Sequence, residues 1–143
     1  MDINQTMAFL HKMYCKGGAV RIRLCNLLFK IARIRYAMDI SYAVNLDGVY
    51  LCHSGLGIVI NANAIIGKGT IIQHRVTIGE KGDSHKCPVI GENCYIGAGA
   101  IIWGDIHIGN NVKIGAGSVV ITDIPDNSRA VGVPAKIINK IIK

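Results

Sequence analysis

Aromatic residues are scarce, one Trp, five Tyr and two Phe among 143 residues, and proline occurs only three times. A core built around stacked rings is therefore excluded, and any core must be aliphatic. Charge is thin too, at 17% of residues, with nine acids against sixteen Lys and Arg. No apolar run approaches the roughly 18 residues of a bilayer-spanning helix, so the chain is not expected to cross a membrane. The five cysteines are odd in number, lack CxxC spacing and follow no secretory leader pattern. That argues against a disulfide framework and for a reduced, cytoplasmic protein, and the length suits one domain.

What is present is Ile, Val, Gly and a period. Stepping by six from Ile60 gives Ile66, Ile72, Ile78, Ser84, Ile90, Ile96, Ile102, Ile108, Ile114 and Val120, so ten of eleven slots are Ile or Val. Gly follows the slot at 67, 79, 91, 97, 109 and 115, and a small or β-branched residue stands two before it at Ala64, Thr70, Val76, Cys94, Ala100, Val112 and Ser118. No α-helix keeps one face at a period of six. A chain that turns a corner every six residues does: the aliphatic side chain points inward, the small one fills the corner, and the Gly relaxes the backbone beside it. Three hexads make a triangular coil, and stacked coils make an all-β solenoid, the left-handed parallel β-helix of hexapeptide repeats. The solenoid is expected over 39–143, with one loop thrust out at 79–89, where GEKGDSHKCPV leaves the pattern before Ile90 resumes it in phase.

Residues 1–38 form a separate N-terminal helical segment. Over 19–38, Val20, Leu24, Leu27, Leu28, Ile31 and Ile34 make a helical stripe flanked by Arg21, Arg23, Lys30, Arg33 and Arg35, behind a shorter piece that ends at Gly17-Gly18. Residues 1–38 hold seven Lys and Arg against Asp2 alone, so the net charge of +7 is local to one surface. No nucleic-acid partner is expected. This basic helix either caps the first coil or packs in an oligomer, or it makes peripheral contact with anionic lipid or an acidic partner.

For chemistry, His53 in LCHSGLGIVI sits beside Ser54, Gly55 and Gly57, which leave backbone close to it. Asp39 lies fourteen residues upstream, about one coil below, where a carboxylate could hold the imidazole tautomer. His85, in the extruded loop, could reach a neighbouring chain. His74, at mid-hexad in IIQHRVTIG, is the rival base; His107 reads as surface and His11 carries no assignment.

The stretch 52–138 resembles the serine acetyltransferase branch of the hexapeptide-repeat acyltransferases, and is similar to capsule and lipopolysaccharide sugar O-acetyltransferases; the resemblance rests on CHSGLGIVIN, VTIGEKG, PVIGENCYIGAGA, VKIGAGSVV and AVGVPAK. It implies a homotrimer with active sites in grooves between subunits, acetyl-CoA as co-substrate without a metal, and direct acetyl transfer to a hydroxyl with no acyl-enzyme. His53 then matches the general base, Asp39, one residue nearer than in the family, the group that orients it, and His85 the second active-site histidine. Gly79, Ala98, Lys113, Gly115, Ala116, Ala135 and Lys136 match positions along the coenzyme A groove. A thioester needs only removal of the acceptor's proton during attack, worth ~10²–10⁴-fold for a well-placed imidazole, with backbone N–H groups receiving the oxyanion.

The sequence departs from the serine acetyltransferases where they place charges for the amino acid: Cys52 and Ser84 stand instead, and only about 38 residues precede the solenoid. These departures favour a sugar hydroxyl of a surface-polysaccharide precursor over L-serine. Two other classes fit less well. A zinc carbonic anhydrase on this solenoid would need two close histidines, and the spacing of 53, 74, 85 and 107 offers none; a noncatalytic trimeric scaffold would need neither His53 nor GVPAK.

Overall fold

A computed structural model describes residues 3–82 and 85–140. Two helices, α1 (Ile3–Cys15) and α2 (Ala19–Tyr36), precede short parallel strands that stack into three sheets around a common core. One face holds β1 (Asp39–Ile40), β3 (Val59–Ile60), β6 (Thr77–Gly79), β9 (Ile101–Trp103) and β12 (Val119–Val120) in that order. A second face holds β4 (Ile65–Ile66), β7 (Val89–Ile90) and β10 (His107–Ile108). The third holds β2 (Tyr50–Leu51), β5 (Ile71–Ile72), β8 (Tyr95–Ile96), β11 (Lys113–Ile114), β13 (Ser128–Gly132) and β14 (Ala135–Lys140), with β14 antiparallel to β13. This is the left-handed parallel β-helix expected from the repeat, in about 4 turns.

The register carries the hexads into three dimensions. Val59 pairs with Thr77, 18 residues on, and Tyr95 with Lys113, also 18 on. Thr77 instead pairs with Ile101, 24 on, because the loop after β6 adds one hexad's length and so leaves the phase intact. Within that loop Asp83 and the slot residue Ser84 lie outside the described residues. The first coil is longer, Tyr50 pairing with Ile71, which is why Val44, Leu46 and Val49 look out of phase yet are all buried. Every other slot from Ile60 to Val120 is buried, and so are the small residues two places before it, Thr70 and Ser118 among them.

The role expected for the glycines needs correction. Gly67, Gly79, Gly91, Gly97, Gly109 and Gly115 do not occupy the left-handed region that only Gly adopts freely; the residues three past the slot do, namely Gly69, Arg75, Asn93, Gly99, Asn111 and Gly117. The first set is required by stacking. A Cβ at Gly67 would stand 2.5 Å from the Gly91 carbonyl carbon, and one at Gly97 2.5 Å from the Ala116 nitrogen. At Gly67, Gly91, Gly97 and Gly109 adjacent coils touch backbone to backbone, and only Gly permits it, while Gly79 meets the Trp103 ring and Gly115 the Val131 side chain.

The helices close the first coil. Ile3, Met7 and Leu10 of α1 and Cys25, Phe29 and Ala32 of α2 are buried and continuous with the solenoid core, and Phe29 meets Tyr42 edge to face with ring centroids 5.8 Å apart. The stripe read from the sequence is not the face that packs. Val20, Leu24, Leu27, Ile31 and Ile34 are all exposed, and only Leu28 of the six is partly buried against the core. Among the described residues no helix is long and apolar enough to cross a membrane.

Candidate active site

Two rules of the coil build the site: side chains two past an inward slot stand on a corner, and corners stack in register. Leu51 pairs with Ile72, Ile72 with Ile96, and Ile96 with Ile114. Two residues on from each are His53, His74, Ala98 and Ala116, so these four form one column down one corner of the solenoid. The corner turns are tied by Gly99 N–H donating to the His74 carbonyl at 3.0 Å and Gly117 N–H to the Ala98 carbonyl at 2.8 Å. Strand spacing of about 4.8 Å puts His53 and Ala116 roughly 14 Å apart along the axis. Two imidazoles therefore stand at one end of the column and two alanines at the other.

The two rings meet edge to face, centroids 4.9 Å apart. His53 is exposed, and it sits in left-handed backbone (φ 50, ψ 39) followed by Ser54 (φ 57) and Gly55 (φ 73). Non-glycine residues rarely adopt that region, and they do so where the surrounding structure enforces it. This run lifts the imidazole out of the ladder. His74 is half-buried, and its Nδ1 is buried with no hydrogen-bond partner. The sequence offers His74 as a rival to His53 or as a residue lining the site; the register makes the two neighbours, a signal hidden because the first coil breaks the period. Cys52 is uncharged: Gln73 Nε2 donates to its Sγ at 3.1 Å, and burial pushes the thiol up from its ordinary value, with the Gln73 bond opposing.

At the far end of the column, Lys113 on β11 is the register partner of Arg129 on β13, and Lys136 on β14 pairs with Val131. All three basic side chains are exposed. Gly115 packs under Val131, while Ala135 lies half-buried where the chain turns back after a cis Val133–Pro134 bond. A row of small residues thus runs from imidazoles to cations. Arg129 was not anticipated, since nothing but pairing with Lys113 marks it.

The remaining expected residues lie elsewhere on the chain. Asp39 heads β1, with its carboxylate accepting from Arg33 Nη2 at 3.1 Å; among the described residues no bond joins it to His53. Asp39, Gly79, Glu80 and Trp103 line a groove of about 400 Å³ on the adjacent face, which includes no member of the column. Trp103 closes over Gly79, where a Cβ would stand 2.9 Å from its ring. His85 is 82% exposed on the loop, and its Nδ1 is 3.7 Å from Glu80 Oε2 at the rim of this groove. One chain thus holds two partial sites, a column with His53 and a groove with Asp39 beneath His85. Among the described residues no group of three His, Cys, Asp or Glu side chains is placed to hold a metal ion.

The chain is similar to known transferases. The family described as Bacterial transferase hexapeptide (six repeats) matches residues 87–122. The chain is 43% identical over 109 residues, 76% of its length, to the putative colanic acid biosynthesis acetyltransferase WcaB of Escherichia coli (strain K12), of which it covers 66%. This chain belongs to the hexapeptide-repeat transferases. Among solved structures, this hexapeptide transferase superposes on Neisseria gonorrhoeae serine acetyltransferase with TM-score 0.86 and 36% identity, over 99% of its own length and 54% of that chain. It superposes on Brucella abortus serine acetyltransferase in complex with coenzyme A with TM-score 0.85 and 35% identity, over 95% of its length and 54% of that chain. The hexapeptide transferase thus spans about half the length of these serine acetyltransferases.

Proposed function

We propose that the protein is an acetyl-CoA-dependent O-acetyltransferase that works as a homotrimer and acetylates a hydroxyl of a neutral sugar in a surface-polysaccharide precursor. The observation that carries this reading is the corner column, imidazoles at one end and cations at the other, with only Ala and Gly between. The pantetheine arm lies along Ala98, Gly115 and Ala116, its phosphates toward Lys113, Arg129 and Lys136, and its thioester beside His53. As the acceptor oxygen attacks the thioester carbon, His53 takes the hydroxyl proton. The tetrahedral oxyanion collapses, the carbon–sulfur bond breaks, and the thiolate leaves with the proton that His53 returns. The related Brucella abortus serine acetyltransferase is solved in complex with coenzyme A, which supports acetyl-CoA as the co-substrate.

The two partial sites support assembly. A groove between subunits would bring His85 and its loop from one chain over the His53 column of the next. The trimer is expected to sediment near three times 15.4 kDa, and a fully active monomer would contradict shared sites.

For the acceptor, the uncharged Cys52 before His53 favours a neutral ligand, because burying an ammonium and a carboxylate without partners costs several kcal/mol. The similarity to the colanic acid acetyltransferase points the same way. L-serine is the second reading, favoured by superposition of nearly the whole chain on a serine acetyltransferase. Thiol release from acetyl-CoA, measured at equal acceptor concentrations, is expected to run at least about tenfold faster with a nucleotide- or lipid-linked sugar than with L-serine. Saturable serine turnover that no sugar exceeds reverses the assignment.

A further inference from the structure

Helix α2 is apolar on two opposite sides. Cys25, Phe29 and Ala32 are buried against α1 and the first coil. Val20, Leu24, Leu27, Ile31 and Ile34, alternately four and three residues apart, fall within about 80° of the helix circumference and are uncovered, Val20 at 80% and Ile34 at 82% exposure. By the same helical geometry, Arg21 and Arg35 flank this stripe on one side and Arg23 and Lys30 on the other. Residues 3–38 contain no acid at all. Single exposed apolar residues are ordinary, but a continuous row of five is a docking face.

The flanks decide the occupant. The spacing suits a helix pair, but against a second copy the flanking positions would bring Arg and Lys opposite Arg and Lys. A negatively charged bilayer answers both features: the row enters the acyl boundary while the long basic side chains on either side reach up to phosphates. The buried side of α2 is fixed to the end of the solenoid, so the helix would lie flat in the membrane plane and the coils would stand away from it. In a three-fold assembly with parallel axes all three α2 helices face one way, and their binding reinforces.

We propose that the row Val20, Leu24, Leu27, Ile31 and Ile34 with its Arg and Lys borders docks the N-terminal end of the protein on membranes rich in anionic phospholipid. The proposal stands on the helix alone and does not depend on which acceptor is acetylated.

Co-sedimentation of the full chain with vesicles tests it. Binding is expected to vesicles containing phosphatidylglycerol and not to phosphatidylcholine alone, and to weaken as salt rises. Leu27→Glu with Ile31→Glu, checked for native circular dichroism, should bind at least about tenfold less. Arg21→Glu with Arg23→Glu, which leaves the apolar row intact, should lose the preference for anionic lipid. Acetyl transfer to a water-soluble acceptor should be unchanged in both. Absence of vesicle binding at low salt overturns the proposal. So does undiminished binding by both variants, or a change in oligomeric state of the Leu27/Ile31 variant, which would make this face an interface between copies.

Discussion

Replacing His53 by alanine is expected to slow acetyl transfer by ~10²-fold or more, the scale of a positioned general base, while the protein keeps its fold and its affinity for acetyl-CoA. His53 projects from the solenoid and contributes nothing to the core, so its removal leaves no cavity. Its contribution falls in the transition state, when the acceptor proton moves, so kcat should drop and KM for acetyl-CoA should barely change. His74 is the control that makes this informative. Its ring lies edge-on to His53 at 4.9 Å and its Nδ1 is buried without a partner, which suits a group that braces the base or meets the acceptor. His74→Ala should therefore cost less than His53→Ala. If His74→Ala abolishes activity and His53→Ala is mild, the base has been misassigned.

The solenoid was legible because its cause is local and repeated. An inward aliphatic every six residues leaves few architectures open, and the buried slots from Ile60 to Val120 bear that reading out. The phase even survived the extruded loop, because that loop inserts one hexad's worth of chain. The packing of α2 was illegible for the opposite reason. A helix with apolar residues on two sides gives no internal indication of which side meets the core, and the eye follows the larger Leu and Ile row. The core took the side with Cys25, Phe29 and Ala32: the small Cys25 lets α2 lie close to α1, its Sγ donating to the Leu10 carbonyl at 3.7 Å, while Phe29 packs edge to face on Tyr42. Helix amphipathicity names a buried face only when there is one apolar face to choose.

The candidate site was half legible. His53 stood out by its glycine-rich surroundings, and the small residues by their place after each slot. The alignment of His74 with His53 was not visible, since it depends on a first coil of irregular length, and Arg129 became a neighbour of Lys113 only through the shortened last coil. The pairing of Asp39 with Arg33 likewise needs the helix folded back on the coil, a contact no spacing reveals.

The two glycine sets yield the second large effect, and it falls on stability. Gly67→Ala is expected to destabilise the protein by about 3 kcal/mol, the upper range for overpacking, because the new Cβ would lie 2.5 to 2.7 Å from the Gly91 carbonyl and the Glu92 nitrogen. Those atoms are backbone within the stack, and Gly67 N–H donates to the Ile90 carbonyl at 2.8 Å, so moving them apart breaks a rung of the ladder. Gly117→Asn is the contrasting change. Gly117 has φ +65 with nothing within 4 Å of an added Cβ, and Asn occupies the equivalent left-handed corner at Asn93 and Asn111. It should cost about 1 kcal/mol or less. At equal protein concentration, Gly67→Ala should lower the melting temperature by roughly 10 °C and Gly117→Asn by only a few degrees. Equal losses would mean that the glycines serve backbone conformation alone and that close approach of the coils does not select them. A larger loss at Gly117 would mean that turn conformation, and not stacking, limits stability.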